Sequence, residues 1–109
     1  MVLEDVKEAL LSVLSDVYHG EAPPDSTAPY VVYMEDGTSH SLYGDGCLIA
    51  QAIEGTIDLF DSAEYGTLWN QIQVSMRNHG IPFKLNLIEY ETDTRLFHYE
   101  WIFDIHVVE

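Results

Sequence analysis

Near the N-terminus, apolar residues recur at steps of three or four. Leu3, Val6, Leu10, Val13, Leu14 and Val17 fall on one stripe of a helix predicted from Val2 to Tyr18. Glu4, Asp5, Lys7, Glu8 and Asp16 occupy the other side, and Gly20 followed by Pro23-Pro24 ends the pattern in a loop reaching about Ala28. The period then shortens. Tyr30-Val31-Val32-Tyr33-Met34 is β-branched and aromatic, a strand signal closed by the turn residues Glu35-Asp36-Gly37. The polar stretch from Thr38 to Gly46 reads as a long hairpin connection or flexible loop.

From Cys47 to Phe60 the odd positions Ile49, Ile53, Ile57 and Leu59 are apolar while Glu54, Thr56 and Asp58 alternate with them, which predicts a long second strand. Gln51 and Gly55 break the apolar parity, which predicts a bulge or a closely approaching backbone near Gly55. Asp61-Ser62-Ala63-Glu64 resembles a capping box opening a second helix, with Tyr65, Leu68, Trp69, Ile72 and Met76 as its buried stripe. Asn78-His79-Gly80 with Pro82 beyond is the expected stop. Phe83, Leu85 and Leu87 make a third strand. After the polar turn Glu91-Thr92-Asp93-Thr94 comes the clearest alternation in the chain: Phe97, Tyr99, Trp101, Phe103, Ile105 and Val107 share one face.

The expected fold is therefore one α+β domain over residues 1–109. It is a two-layer sandwich with an antiparallel four-stranded sheet packed by two helices in the order α-β-β-α-β-β. Composition agrees: 109 residues suit one core, and 47% hydrophobic with 12% aromatic content is enough to bury one. Nineteen Asp and Glu against four Lys and Arg give a net charge of -15, which argues against attraction to nucleic acid or anionic membrane. The acidic N-terminus lacks the basic region of a signal peptide, and no apolar run is long enough for a membrane span, so a soluble intracellular chain is expected. One cysteine, Cys47, excludes an internal disulfide framework and a Cys-rich zinc site; a small buried hydrophobe outweighs a nucleophile there.

Among chemical groups, His98, Glu100, Asp104 and His106 share the polar face of the last strand. Neighbours of one parity lie roughly 7 Å apart along a strand, so a metal would need help from an adjacent strand, and the reading taken is a solvated face with no metal. Hydrolase, phosphate-loop and dinucleotide motifs are absent, so no catalytic residue and no cofactor is expected. Trp69 and Trp101 fall on core-facing stripes.

Ala28-Pro29-Tyr30-Val31-Val32-Tyr33 after a leading helix and Pro-containing loop, the acidic strand Ile53 to Phe60, the second helix with Gly80-Ile81-Pro82-Phe83, and the aromatic closing strand Leu96 to Ile105 together resemble small tail-completion proteins of long-tailed bacteriophages and prophages. The resemblance spans nearly the whole chain and rests on hydrophobic patterns, so no functional residue transfers by motif. It implies a structural virion protein, a tail terminator or head-tail joining component, found in the virion and assembled in the bacterial host cytoplasm. Such proteins form rings, often of six subunits, at the head-proximal end of the tail, against tail-tube or head-connector proteins. Beside the resemblance, the loop residues His40, Tyr43 and Asp45 are expected to dock on a partner, and the excess carboxylates to let DNA pass without sticking. The competing classes are an acidic DNA mimic or adaptor that inhibits a host nucleic-acid-binding enzyme and, behind it, a metal-dependent enzyme using the His98 to His106 face.

Overall fold

In the computed structural model, the backbone is described for residues 2–44 and 47–108 and the side chains for residues 2–37 and 51–106. Two helices, α1 (Leu3–Leu11) and α2 (Leu68–Asn78), pack on one face of a sheet. Its strands are β1 (Val17–His19), β2 (Tyr30–Gly44), β3 (Cys47–Asp61), β4 (Phe83–Glu91) and β5 (Leu96–Val108). The spatial order is β1-β2-β3-β5-β4.

The α+β layering is as expected, but the four-stranded antiparallel sheet is corrected to a five-stranded mixed one, because β1 pairs in parallel with Val31 to Tyr33 of β2. The first helix was expected to reach Tyr18; it ends at Leu11. Val13 and Leu14 still pack on the core, and both their amides donate to the Leu10 carbonyl. Val17-Tyr18-His19 is β-branched and aromatic, and extended backbone gives it ladder partners: the Val31 amide donates to Asp16 O at 3.0 Å and the Gly20 amide to Tyr33 O at 2.9 Å. A single apolar residue at the right spacing, Val17, satisfies either period.

The core lies between the helices and the sheet. Val6, Ala9 and Leu10 of α1 and Ile72 and Met76 of α2 are buried against Val31, Tyr33, Ile57, Leu59, Tyr99, Trp101 and Phe103. Where the helices meet, the Ser75 and Ser12 hydroxyls both donate to the Ala9 carbonyl, at 2.6 and 2.7 Å, so the buried Ser75 is satisfied. The second helix starts at Leu68, three residues later than the Tyr65 of the expected stripe, and Tyr65 is 90% exposed. Asp61 instead ends β3; its carboxylate accepts the Ala63 amide at 3.1 Å and turns the chain.

The stretch expected to be a loop continues β2, and Gly44 pairs with Cys47. Bulges interrupt the ladder between Glu35 and Gly37, Thr38 and His40, and Leu42 and Tyr43. Val108 pairs with Ala50, and beyond that level, among the described residues, Tyr43–Gly44 and Cys47–Leu48 run on as a two-stranded tip. The radius of gyration is 15.1 Å and the extents are 52 × 26 × 22 Å, whereas a compact chain of this length has a radius near 13 Å. Among the described residues, no helix is long and apolar enough to cross a membrane.

Candidate functional site

The sheet face turned away from the helices is set by the alternate residues of each strand. On β1, β2, β3 and β5 a row of rings crosses it. Tyr18 meets Tyr30 edge-on at 6.4 Å, Tyr30 stacks on Phe60 at 5.0 Å, and Phe60 stacks on His98 at 4.5 Å with 13° between planes. Next to His98 on β4 stands Glu89, its register partner.

Alternation alone would not put Glu89 there. The apolar residues Phe83 and Leu85 of β4 face the helix layer, so odd positions should continue inward. A bulge between Leu85 and Leu87 inserts Asn86 and reverses the parity, turning Leu87, Glu89 and Glu91 to the outer face and Ile88 and Tyr90 to the other. Leu87, expected with Phe83 and Leu85, thus pairs with the outward Glu100.

His98 becomes the hub of this face. Its Nε2–H donates to Asp58 Oδ1 at 2.7 Å. Its Nδ1 lies 3.5 Å from Glu91 Oε2 and 3.8 Å from Glu89 Oε1, is buried, and makes no hydrogen bond. Around it, Thr94 Oγ1 donates to Glu91 Oε1 at 3.0 Å and Asn86 Nδ2 donates to Glu100 Oε1 at 2.9 Å. Asp58, His98 and Glu100, and separately Glu89, Glu91 and His98, bring ligand-type atoms within 4.8 Å of one another. The Asp58 hydrogen bond, reinforced by the charges of Asp58, Glu91 and Glu89, raises the His98 pKa above its ordinary value against the opposing pull of burial. The Tyr30 hydroxyl is also pushed up, first by burial and then by Glu91.

A raised histidine pKa stabilises the fold only while the ring is charged. Below about pH 6.5, the pKa of the unfolded side chain, that stabilisation is fully present; it disappears as pH climbs through the higher folded value. With chelator present, the melting-temperature gap between wild type and His98→Gln is expected to narrow as the buffer is raised from about pH 6 to about pH 8. A gap that stays constant or widens contradicts the charged-ring account.

A second histidine pair sits at the β1 side. His19 Nε2–H donates to Glu35 Oε1 at 2.9 Å, the ring stacks on Tyr33 at 4.7 Å, and this hydrogen bond holds the Glu35 carboxyl below its ordinary pKa. An open depression of about 530 Å³ lies apart from His98, lined by Ser62, Glu64, Tyr90, Arg95 and Phe97.

The sequence grouping of His98 with Glu100, Asp104 and His106 is rearranged. Glu100 stays within the cluster, while Asp58, Glu89 and Glu91 join from neighbouring strands. Asp104 pairs with Glu54 and His106 with Ala52, farther along β5. Strand pairing and the β4 bulge decide this, and neither carries a spacing signal. Of the expected docking residues, His40 and Tyr43 belong to β2, opposite Ala52 and Leu48, and not to a loop; their side chains, and Asp45 altogether, lie outside the described residues, as does the Cys47 side chain. Trp101 is buried and Trp69 packs against the core, as the stripes indicated. No protein-family model matches this chain, and no curated protein matches it in sequence.

Proposed function

We propose that this chain is a structural virion component of a long-tailed phage or prophage, a tail terminator or head-tail joining protein that closes into a ring with copies of itself, and not an enzyme. The observation that carries the reading is the long β2–β3 hairpin. Each of its strands has fifteen residues, about 50 Å of extended chain, so the hairpin takes up more than a quarter of the 109 residues of this chain. β1 covers only Val31 to Tyr33, so among the described residues Met34 to Gly44 has no strand on its outer side. At the other end of the sheet, β4 is an edge along Phe83–Glu91. Two different open edges on opposite sides of one sheet suit head-to-tail contacts, the kind from which rings are built.

The charge of -15 fits the same role, since a carboxylate-rich lining lets DNA slide without adhesion. The resemblance in Ala28 to Tyr33, Ile53 to Phe60 and the closing strand supplies the phage assignment; the hairpin supplies the mechanical reason. Light scattering and electron microscopy of the purified chain, alone and mixed with a phage major tail-tube protein, test the proposal. Rings of about six subunits are the expected result. A particle that stays monomeric in both samples, and instead binds a basic host enzyme with steep salt dependence, would replace this reading with the acidic-mimic one.

A further inference from the structure

We infer that the outer face of the sheet holds a divalent transition-metal site, with His98 Nδ1 of β5 and the carboxylates of Glu89 and Glu91 of β4 as its protein ligands. The inference stands independently of ring formation.

Three features of the cluster point to a cation. The first is the unmet Nδ1. It is buried and without a hydrogen bond, although two carboxylates face it. Buried polar atoms are nearly always paired; a proton on Nδ1 leaves it only the longer ion pairs with Glu91 and Glu89, whereas a cation held between the three groups would partner all of them directly. The second is spacing. At 3.5 and 3.8 Å the oxygens are too far to accept a hydrogen bond from Nδ1. Ligands about 2.1 Å from one ion in a tetrahedral arrangement lie about 3.4 Å apart, so a shift of a few tenths of an ångström brings Nδ1 and each oxygen to that spacing, and the two carboxylates, within 4.8 Å of one another, need only turn toward the same point. The third is charge: Asp58, Glu89, Glu91 and Glu100 crowd around one imidazole, and a dication offsets them where a single protonated ring does not.

The groups behind these ligands are arranged as metal sites require. Asp58 takes the Nε2–H, which leaves the Nδ1 lone pair of the neutral ring free to bind. Phe60 stacks on the ring and fixes its plane. Thr94 occupies Oε1 of Glu91, so Oε2 is the oxygen presented to the site. One imidazole nitrogen and two carboxylates, with positions open to water, suit Zn²⁺ or Mn²⁺. Such an ion would tie the edge strand β4 to β5.

Calorimetric titration of the chelator-treated full chain with Zn²⁺ alone, and with Mn²⁺ alone, tests the site. One ion per chain and a higher melting temperature are expected with at least one metal. Glu89→Gln and Glu91→Gln, both at partly exposed positions, should fold normally and each weaken binding about tenfold or more; Asp58→Asn, at the positioning residue, should weaken it by about 10- to 100-fold. Glu21→Gln, elsewhere on the surface, should bind as the wild type does. Nitrogen-detected NMR should show the Zn²⁺-induced shift at His98 Nδ1 and not at Nε2. Absence of binding by both ions overturns the inference. So does binding that survives in Glu89→Gln and Glu91→Gln with unchanged affinity, which would mark general attraction to an acidic surface.

Discussion

Replacing Gly55 by alanine is expected to destabilise the fold by about 3 kcal/mol, at the upper end of what overpacking a core produces. Gly55 sits in β3 between Glu35 of β2 and Phe103 of β5. A methyl group there would run into the Met34 carbonyl oxygen and the Phe103 ring. Neither gives way easily, since the first is backbone in a paired strand and the second is fully buried. The demand at Gly55 is for space; its backbone is not left-handed, unlike Gly20 and Gly80 with φ of 88 and 71°. Against a total stability of roughly 5 to 15 kcal/mol this is a large loss, readable as a lower urea midpoint with unchanged slope. Adding Phe103→Leu should recover part of the loss, with a coupling energy of about 1 kcal/mol, because the ring is one obstacle and the Met34 oxygen remains. A midpoint for Gly55→Ala equal to wild type would mean that Phe103 does not fill the space above β3.

The same glycine shows what the sequence makes legible. A parity break in a strand pattern predicts a bulge or a close backbone, and both occur: the bulge between Glu35 and Gly37 lies opposite, and Met34 O is the neighbour. Strong alternation was equally readable, so Tyr99, Trp101, Phe103 and Ile105 are buried as their spacing requires. Polar strands were not. Thr38 to Gly44 has little apolar patterning, yet its backbone pairs along β3; the available signal was Asp45-Gly46, a two-residue hairpin sequence between the two stretches. The short β1 was hidden because Val17 fits a helix stripe, and its parallel pairing with β2 depends on contacts distant in sequence.

The outer-face cluster was half legible for a similar reason. His98 and Glu100 stand on one strand, and the need for a neighbouring strand to complete any site followed from strand geometry. Which strand, and which residues of it, depended on the Asn86 bulge, a one-residue insertion that turns Glu89 and Glu91 toward His98. Asp58, forty positions before His98, arrives through β3–β5 pairing.

Trp101→Ala should have a still larger effect, about 4 kcal/mol, because it combines lost apolar burial with a cavity that the sheet cannot collapse to fill. Trp101 is 1% exposed on the helix-facing side of β5. Its Nε1–H donates to Gln73 Oε1 of α2 at 3.1 Å. Its ring lies 6.3 Å from that of Tyr99, which is nearly parallel to Trp69 of α2 at 5.9 Å and 5°. One side chain therefore links α2 to the sheet by packing and by a hydrogen bond. Trp101→Phe keeps most of the volume and loses the donor; Gln73 is only partly buried and can turn to water, so a loss of about 1 to 2 kcal/mol is expected. Denaturant unfolding should rank wild type above Trp101→Phe and that above Trp101→Ala; equal midpoints for the two variants would show that packing volume is not what Trp101 contributes. Strand alternation adds a separate expectation: Trp101 and the His98 cluster occupy opposite faces of β5, so Trp101→Phe should lower stability while leaving cation uptake at His98 unchanged.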